Sequence, residues 1–122
     1  MKQEDKDLLL RDLCARLPYG VKGVEANTLC SLNTVTRFKS IVKNIEYKIE
    51  HLGFKPYLFP LSSMTEEQSM EFALLQVNTH KDGFLYVCDC ANMMKWLLKN
   101  HFDYRGLIEK GLAVNATGLN IY

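Results

Sequence analysis

This 122-residue chain is poor in the residues that carry chemistry: three histidines, four cysteines, one tryptophan, and no glycine loop spaced to cradle a phosphate. His51, His80 and His101 are scattered, and no serine or cysteine stands in a local nucleophile motif. A triad or phosphate loop written into the sequence is therefore excluded. An enzyme remains open only through a site that the fold assembles, for instance from His51, His101 and a cysteine or carboxylate. No catalytic, cofactor-binding or metal-binding residue is assigned.

Long apolar runs are also missing. The most apolar stretch, Phe84 to Leu98, is broken by Asp89, Asn92 and Lys95, well short of the roughly 18 uninterrupted residues that a membrane span needs. The start, Met1-Lys2-Gln3-Glu4-Asp5-Lys6, carries both charges and lacks the apolar stretch and cleavage site of a secretory signal, so the expected compartment is the cytoplasm. Cys14, Cys30, Cys88 and Cys90 lack the spacing of a disulfide scaffold and read as reduced thiols. Cys88-x-Cys90 is closer than the Cys-x(2–4)-Cys pairs of structural zinc sites, and inside an apolar run it reads as core packing. Trp96 and Met93-Met94 lie in the same run and read as core rather than as the lining of a ligand cavity.

Neither sign of charge dominates. The formal net charge is +1, with residues 17 to 60 at +3 and residues 61 to 122 at −2, weaker than the basic excess of a typical nucleic-acid domain. Hydrophobic residues make up 48% and charged residues 24%, ordinary values for one folded domain over residues 1 to 122.

The pattern along the chain predicts an α+β fold. Leu8, Leu9, Leu10, Leu13, Cys14 and Leu17 recur at helical spacing, with Lys6, Asp7, Arg11, Asp12 and Arg16 opposite, so residues 1 to 17 read as an amphipathic helix ended by Pro18. Residues 19 to 59 are rich in Val, Thr, Ile and aromatics, which predicts a small antiparallel sheet. Its four short strands are placed near Gly20 to Glu25, Thr28 to Asn33, Phe38 to Val42 and Ile45 to Glu50. In the last of these Ile45, Tyr47 and Ile49 alternate with charged residues, yet Phe38, Ile41, Val42, Ile45, Ile49 and Leu52 also fit period 3.6, so 38 to 52 is strand or helix. Lys55 to Pro60 reads as a proline-stiffened extended crossing.

Two longer helices follow. Thr65 and Gln68 have the spacing of a capping box, Glu66 and Glu67 suit the positive end of the dipole, and Met70, Ala73, Leu74 and Val77 form an apolar stripe expected to face the core. Phe84 to Asn100 is apolar almost all round and is expected at the centre. A short final helix over residues 104 to 113 is expected, with Asp103 near its start, Gly111 as a left-handed cap, and Arg105 placed to fork onto a carboxylate or backbone carbonyls and pin the tail, or to bind an anion. Asn115 to Tyr122 reads as a loosely held end.

Three blocks are more particular than propensity requires: Asp12-Leu13-Cys14-Ala15-Arg16-Leu17-Pro18-Tyr19-Gly20-Val21, Lys55 to Gln68 with its Lys-Pro-Tyr-Leu and Ser-Ser-Met-Thr-Glu-Glu runs, and Phe102 to Ala113 with Asp-Tyr-Arg-Gly-Leu-Ile-Glu-Lys-Gly-Leu-Ala. In these the chain resembles a family of small proteins from Bacteroides-type gut bacteria, their phages and mobile elements. The resemblance covers about a third of the chain. It implies strands between the Pro-Tyr-Gly and Lys-Pro-Tyr-Leu blocks, and no activity, substrate or partner. Phe59 departs from it, because relatives tend to carry arginine there.

For function, the sequence favours a non-enzymatic protein-interaction or accessory module of phage or mobile-element type, with a protein as partner, no membrane and no cofactor. The residues proposed for contact are Tyr57, Phe59, Tyr104 and Arg105. The alternative is a nucleic-acid binder using Arg37, Lys39, Lys43, Lys48 and Lys55, interleaved with Phe38, Tyr47 and Phe54 on a sheet face, where cations grip phosphates and aromatics stack on bases. A small enzyme with a spatially assembled site is the third reading.

Overall fold

The computed structural model describes residues 2–25, 27–32, 41–79 and 87–122. Its elements are α1 (Gln3–Arg16), β1 (Lys22–Glu25), β2 (Thr28–Ser31), α2 (Ile41–Leu52), β3 (Lys55–Pro60), α3 (Glu66–Thr79), α4 (Val87–Lys99), β4 (Phe102–Asp103) and β5 (Val114–Asn115), with single 3₁₀ turns at Leu17–Tyr19 and Leu61–Ser63. The fold is α+β. Its N-terminal helix leads into a small sheet ordered β2-β1-β3-β4, with β5 also paired to β3.

The sheet is mixed rather than purely antiparallel. β1 pairs antiparallel with β2 through a turn at Asn27, whose φ of 65° is the left-handed geometry asparagine tolerates. β3 is the hub. It runs antiparallel to β1 at Lys55 and Pro56, parallel to β5 at Tyr57 and Leu58, and parallel to β4 at Phe59 and Pro60. The segment read as a crossing is thus a strand, and its prolines, which cannot donate to a ladder, occupy only its second and last positions.

The strand expected over Ile45 to Glu50 is instead the second half of α2. Helical period wins because Ile45 and Ile49, four apart, are buried together while Tyr47 between them is exposed, which alternation could not produce. Of the strand expected at Phe38 to Val42, Ile41 and Val42 open α2, and residues 38 to 40 lie outside the described residues.

One core is built from α1, α2, the sheet and the tail: Leu9, Leu13, Val21, Leu32, Ile45, Ile49, Phe54, Leu58, Leu107, Leu112 and Ala113 are all buried in a single cluster. Gly23 on β1 makes room for it, since a Cβ there would sit 2.3 Å from the Phe54 ring and 2.6 Å from the Lys55 carbonyl oxygen.

The expected C-terminal helix is a single capped turn. Asp103 accepts the backbone N–H groups of Arg105 (3.2 Å), Leu107 (3.0 Å) and Ile108 (2.9 Å). Gly111, at φ 73°, closes the turn, with Leu112 N–H donating to the Leu107 carbonyl and Gly111 N–H to the Ile108 carbonyl. Both expected caps are present, but Gly106 between them sits at φ 73°, outside right-handed helical geometry, and the turn is confined to residues 107–111. The end is strapped down rather than loose. The Tyr122 hydroxyl accepts the Lys22 N–H (2.9 Å) and donates to the Tyr57 carbonyl (2.8 Å), Lys22 Nζ reaches the Ile121 carbonyl (3.0 Å), and the Tyr122 ring stacks on His101.

Candidate functional site

Two places depart from an ordinary small core. The first is a buried charge cluster on α1. Positions 9, 12, 13 and 16 form one i, i+3, i+4, i+7 face, and all four are buried, so Asp12 and Arg16 belong to the inward face rather than the outward one. Arg16 Nε donates to Asp12 Oδ2 at 2.6 Å, both side chains being fully buried, and Arg16 Nη2 donates to the Phe102 carbonyl at 2.6 Å. Arg105, 25% exposed, donates from Nε to Asp12 Oδ1 at 3.2 Å. One carboxylate therefore holds two guanidinium groups from opposite ends of the chain. Tyr104 lies between them, with the Arg105 and Arg16 guanidinium carbons 4.9 Å and 5.7 Å from its ring centroid.

The chemistry of this cluster is structural. Both carboxylate oxygens are taken up by guanidinium groups, which ties α1 to the C-terminal turn. Arg105 reaches a carboxylate, through one Nε bond from a partly exposed side chain rather than the buried fork expected, and this bond ties the tail to the body. Asp12 and the fully buried Arg16 both fall in the block Asp12 to Val21, and the helical pattern alone places them on the outer face. The signal was there: an i, i+4 Asp-Arg pair in register with Leu9 and Leu13 is a buried pair if the apolar face is drawn through 9, 13 and 16.

Among the described residues four other titratable groups are shifted, each chiefly by burial. His101 is held down to about 4 by burial, then by Arg16 and Lys22 nearby, so it stays neutral in the neutral range. Burial raises the Cys14 thiol, with Glu46 adding to it, and burial and Glu25 raise Cys30, so neither is an activated thiolate. Burial pushes the Tyr122 phenol up to about 12, against opposing effects of the Lys22 hydrogen bond and Arg16. A groove of about 220 Å³ between the start of α3 and the tail is lined by Phe59, Phe102, Ser63, Thr65 and Gln68 among others, with no titratable side chain in its wall. Among the described residues no three His, Cys, Asp or Glu side chains gather as a metal site.

The second place is the α3–α4 hairpin. The capping box forms as expected: Thr65 Oγ1 accepts the Gln68 N–H at 3.1 Å and Gln68 Oε1 accepts the Thr65 N–H at 3.0 Å. Met70, Ala73 and Leu74 of the stripe behind it do not face the core. Met70 and Leu74 are each 64% exposed, and no residue of Glu66 to Leu75 is buried. α4 is likewise not central: Leu97 and Leu98 at its end are buried, while Ala91, Asn92, Met94 and Lys95 are exposed. Phe72 stacks on Trp96 (5.3 Å), Trp96 stacks on Phe102 (5.6 Å), and Trp96 Nε1 donates to Glu71 at 3.3 Å, so the hairpin is joined to the body through a short aromatic column.

The residues proposed from sequence fall apart spatially. Tyr104 and Arg105 lie at the charge cluster, and Tyr57 and Phe59 are half-buried on β3, with Phe59 against Phe102 and Tyr122. Of the basic set, Arg37 and Lys39 lie outside the described residues. Lys43 is exposed on α2, Lys48 on α2 is paired with Glu25 of β1, and Lys55 is exposed on β3. They do not line one sheet face, because residues 41 to 52 are helical. The structure has no helix, among its described residues, long and apolar enough to cross a membrane. No family model, curated protein or solved structure matches this chain, and a functional reading rests on the geometry of its own residues.

Proposed function

We propose that this chain is a non-enzymatic protein-interaction module, a cytoplasmic accessory protein of the phage and mobile-element family that its blocks resemble, and that it docks its partner on the α3–α4 face. One observation carries the reading: Met70 and Leu74, placed four apart on a well-capped helix, stand 64% exposed. Helical stripes of this kind are normally buried, and an apolar face kept in water marks a contact surface. The exposed residues Met94 on α4 and Leu61 just before α3 add to the apolar area of this half. The raised Cys14 and Cys30 thiols and the carboxylate with both oxygens engaged support binding over catalysis. The separation of Lys43 and Lys55 onto a helix and a strand, with Lys48 paired to Glu25, supports it over nucleic-acid recognition.

The test is a photo-crosslinking amino acid placed at Leu74, with Glu109 on the C-terminal turn as control, in cells of the chain's native source. A discrete protein adduct at Leu74 and none at Glu109 is the expected result. Equal background at both positions removes the reading.

A further inference from the structure

We propose that the occupant of the α3–α4 face is a second copy of this chain, in a weak two-fold dimer that lays α3 of each copy antiparallel on α4 of the other. The inference rests on the reading of that face as a docking surface.

The hairpin's own geometry selects the arrangement. Phe72 and Glu71, in the first half of α3, touch Trp96, in the second half of α4, so the two helices run antiparallel with Glu71 level with Trp96. One helical turn away, Glu67 is level with the Lys99 end of α4, and in the other direction Leu74 is level with the Met94 region. A two-fold axis running along the hairpin keeps these levels, so each copy sets its Leu74 toward the other's Met94 and its Glu67 toward the other's Lys99.

Charge favours this pairing over the alternatives. α3 carries Glu66, Glu67 and Glu71 and no lysine or arginine in its 14 residues. α4 carries Lys95 and Lys99 against Asp89 in its 13. Setting α3 on α4 brings the acidic first turn of one helix against the basic last turn of the other, once on each side of the two-fold axis. Setting α3 on α3 would oppose three carboxylates to three. The exposed apolar residues Met70, Leu74 and Met94 supply the centre that such an interface needs.

Area sets the strength. Helices of 14 and 13 residues are about 20 Å long, and two side by side present a face about 20 Å wide, or about 400 Å² per copy. Stable complexes bury about 800 Å² per partner, so this dimer forms reversibly at micromolar or higher concentration.

Sedimentation of the full chain from about 1 to about 500 µM should show mass rising from one copy to two, with a midpoint on the order of 10–100 µM. Met70→Glu should move that midpoint upward at least tenfold, on the order of 1.4 kcal/mol. Glu67→Lys and Lys99→Glu alone should each weaken association, because each sets like charges opposite one another. Mixed, they should restore a dimer, since both cross-contacts again pair unlike charges. All three positions are exposed, and a circular dichroism spectrum unchanged from the parent shows that folding is intact. A single-copy mass across the whole range, or a mixture no better associated than its parts, overturns the dimer. If the chain stays single while Leu74 crosslinks a different protein, the dimer falls and the docking reading stands. If it stays single and Leu74 crosslinks nothing, both fall.

Discussion

The body of this protein and its α3–α4 hairpin are built from sequence of similar apolar content, yet they dispose of it in opposite ways. In the body, α1 buries Leu9 and Leu13 completely and carries two full charges inward with them. In the hairpin, α3 has the better cap and an equally regular stripe, and leaves Met70 and Leu74 of that stripe in water. The difference shows that an amphipathic pattern says a face will be covered, without saying by what. α1 has α2, the sheet and the returning tail to cover it. α3 has α4, whose buried residues among those described, Leu97 and Leu98, lie at its end nearest the body.

The largest expected effect breaks the body at its charges. Asp12→Ala leaves the fully buried Arg16 without its carboxylate and releases Arg105, which should cost about 3–5 kcal/mol in urea unfolding and bring a domain of this size close to unfolding. A loss below about 1 kcal/mol would mean that the cluster is not buried as described. The next sets the two helices side by side. Leu13→Ala should destabilise by about 2–5 kcal/mol, whereas Leu74→Ala should change stability by no more than about 0.5 kcal/mol while weakening association. Equal costs would erase the distinction between body and hairpin.

A third effect concerns the sheet. Gly23→Ala drives a methyl group into the buried Phe54 ring and the Lys55 carbonyl, and should cost about 1–3 kcal/mol, read from the denaturation midpoint. The smallest sharpens the comparison through pH. His101, with its pKa lowered to about 4 from 6.5, is neutral in both folded and unfolded chains above pH 6.5. As pH falls from 6.5 toward about 4, the unfolded chain binds a proton that the folded one resists, so stability declines over that window and the loss levels off below it. His101→Gln should lose that part of the slope when midpoints at about pH 7 and about pH 4.5 are compared. An unchanged slope would assign the acid sensitivity to other groups.

Much of the local structure was legible. Pro18 after α1, the Thr65–Gln68 box and Gly111 as a left-handed cap follow from backbone rules that act within a few residues, and each is found where its residues stand. What failed was long-range. Residues 45 to 50 satisfy both a period of two and a period of 3.6, and packing against the core decides between them. The parallel pairing of β3 with β4 and β5 depends on contacts 43 or more positions apart, which no local pattern encodes. Arg105 was legible as an anchor because its neighbourhood is unusual. Its carboxylate, 93 positions away, was not, because an aspartate among the charges of α1 looks solvated until something arrives to cover it.

That distance has a consequence during synthesis. Arg16 obtains its carbonyl from a residue 86 positions later, and Asp12 its second guanidinium from one 93 positions later. At about 5–20 residues per second, the first helix leaves the ribosome on the order of 10 s before the groups that make its inward charges tolerable exist. Until then its apolar face cannot close without leaving Arg16 Nη2 and Asp12 Oδ1 short of their later partners. A chain interrupted before residue 102 should therefore stay open to proteases rather than settle into a stable partial fold.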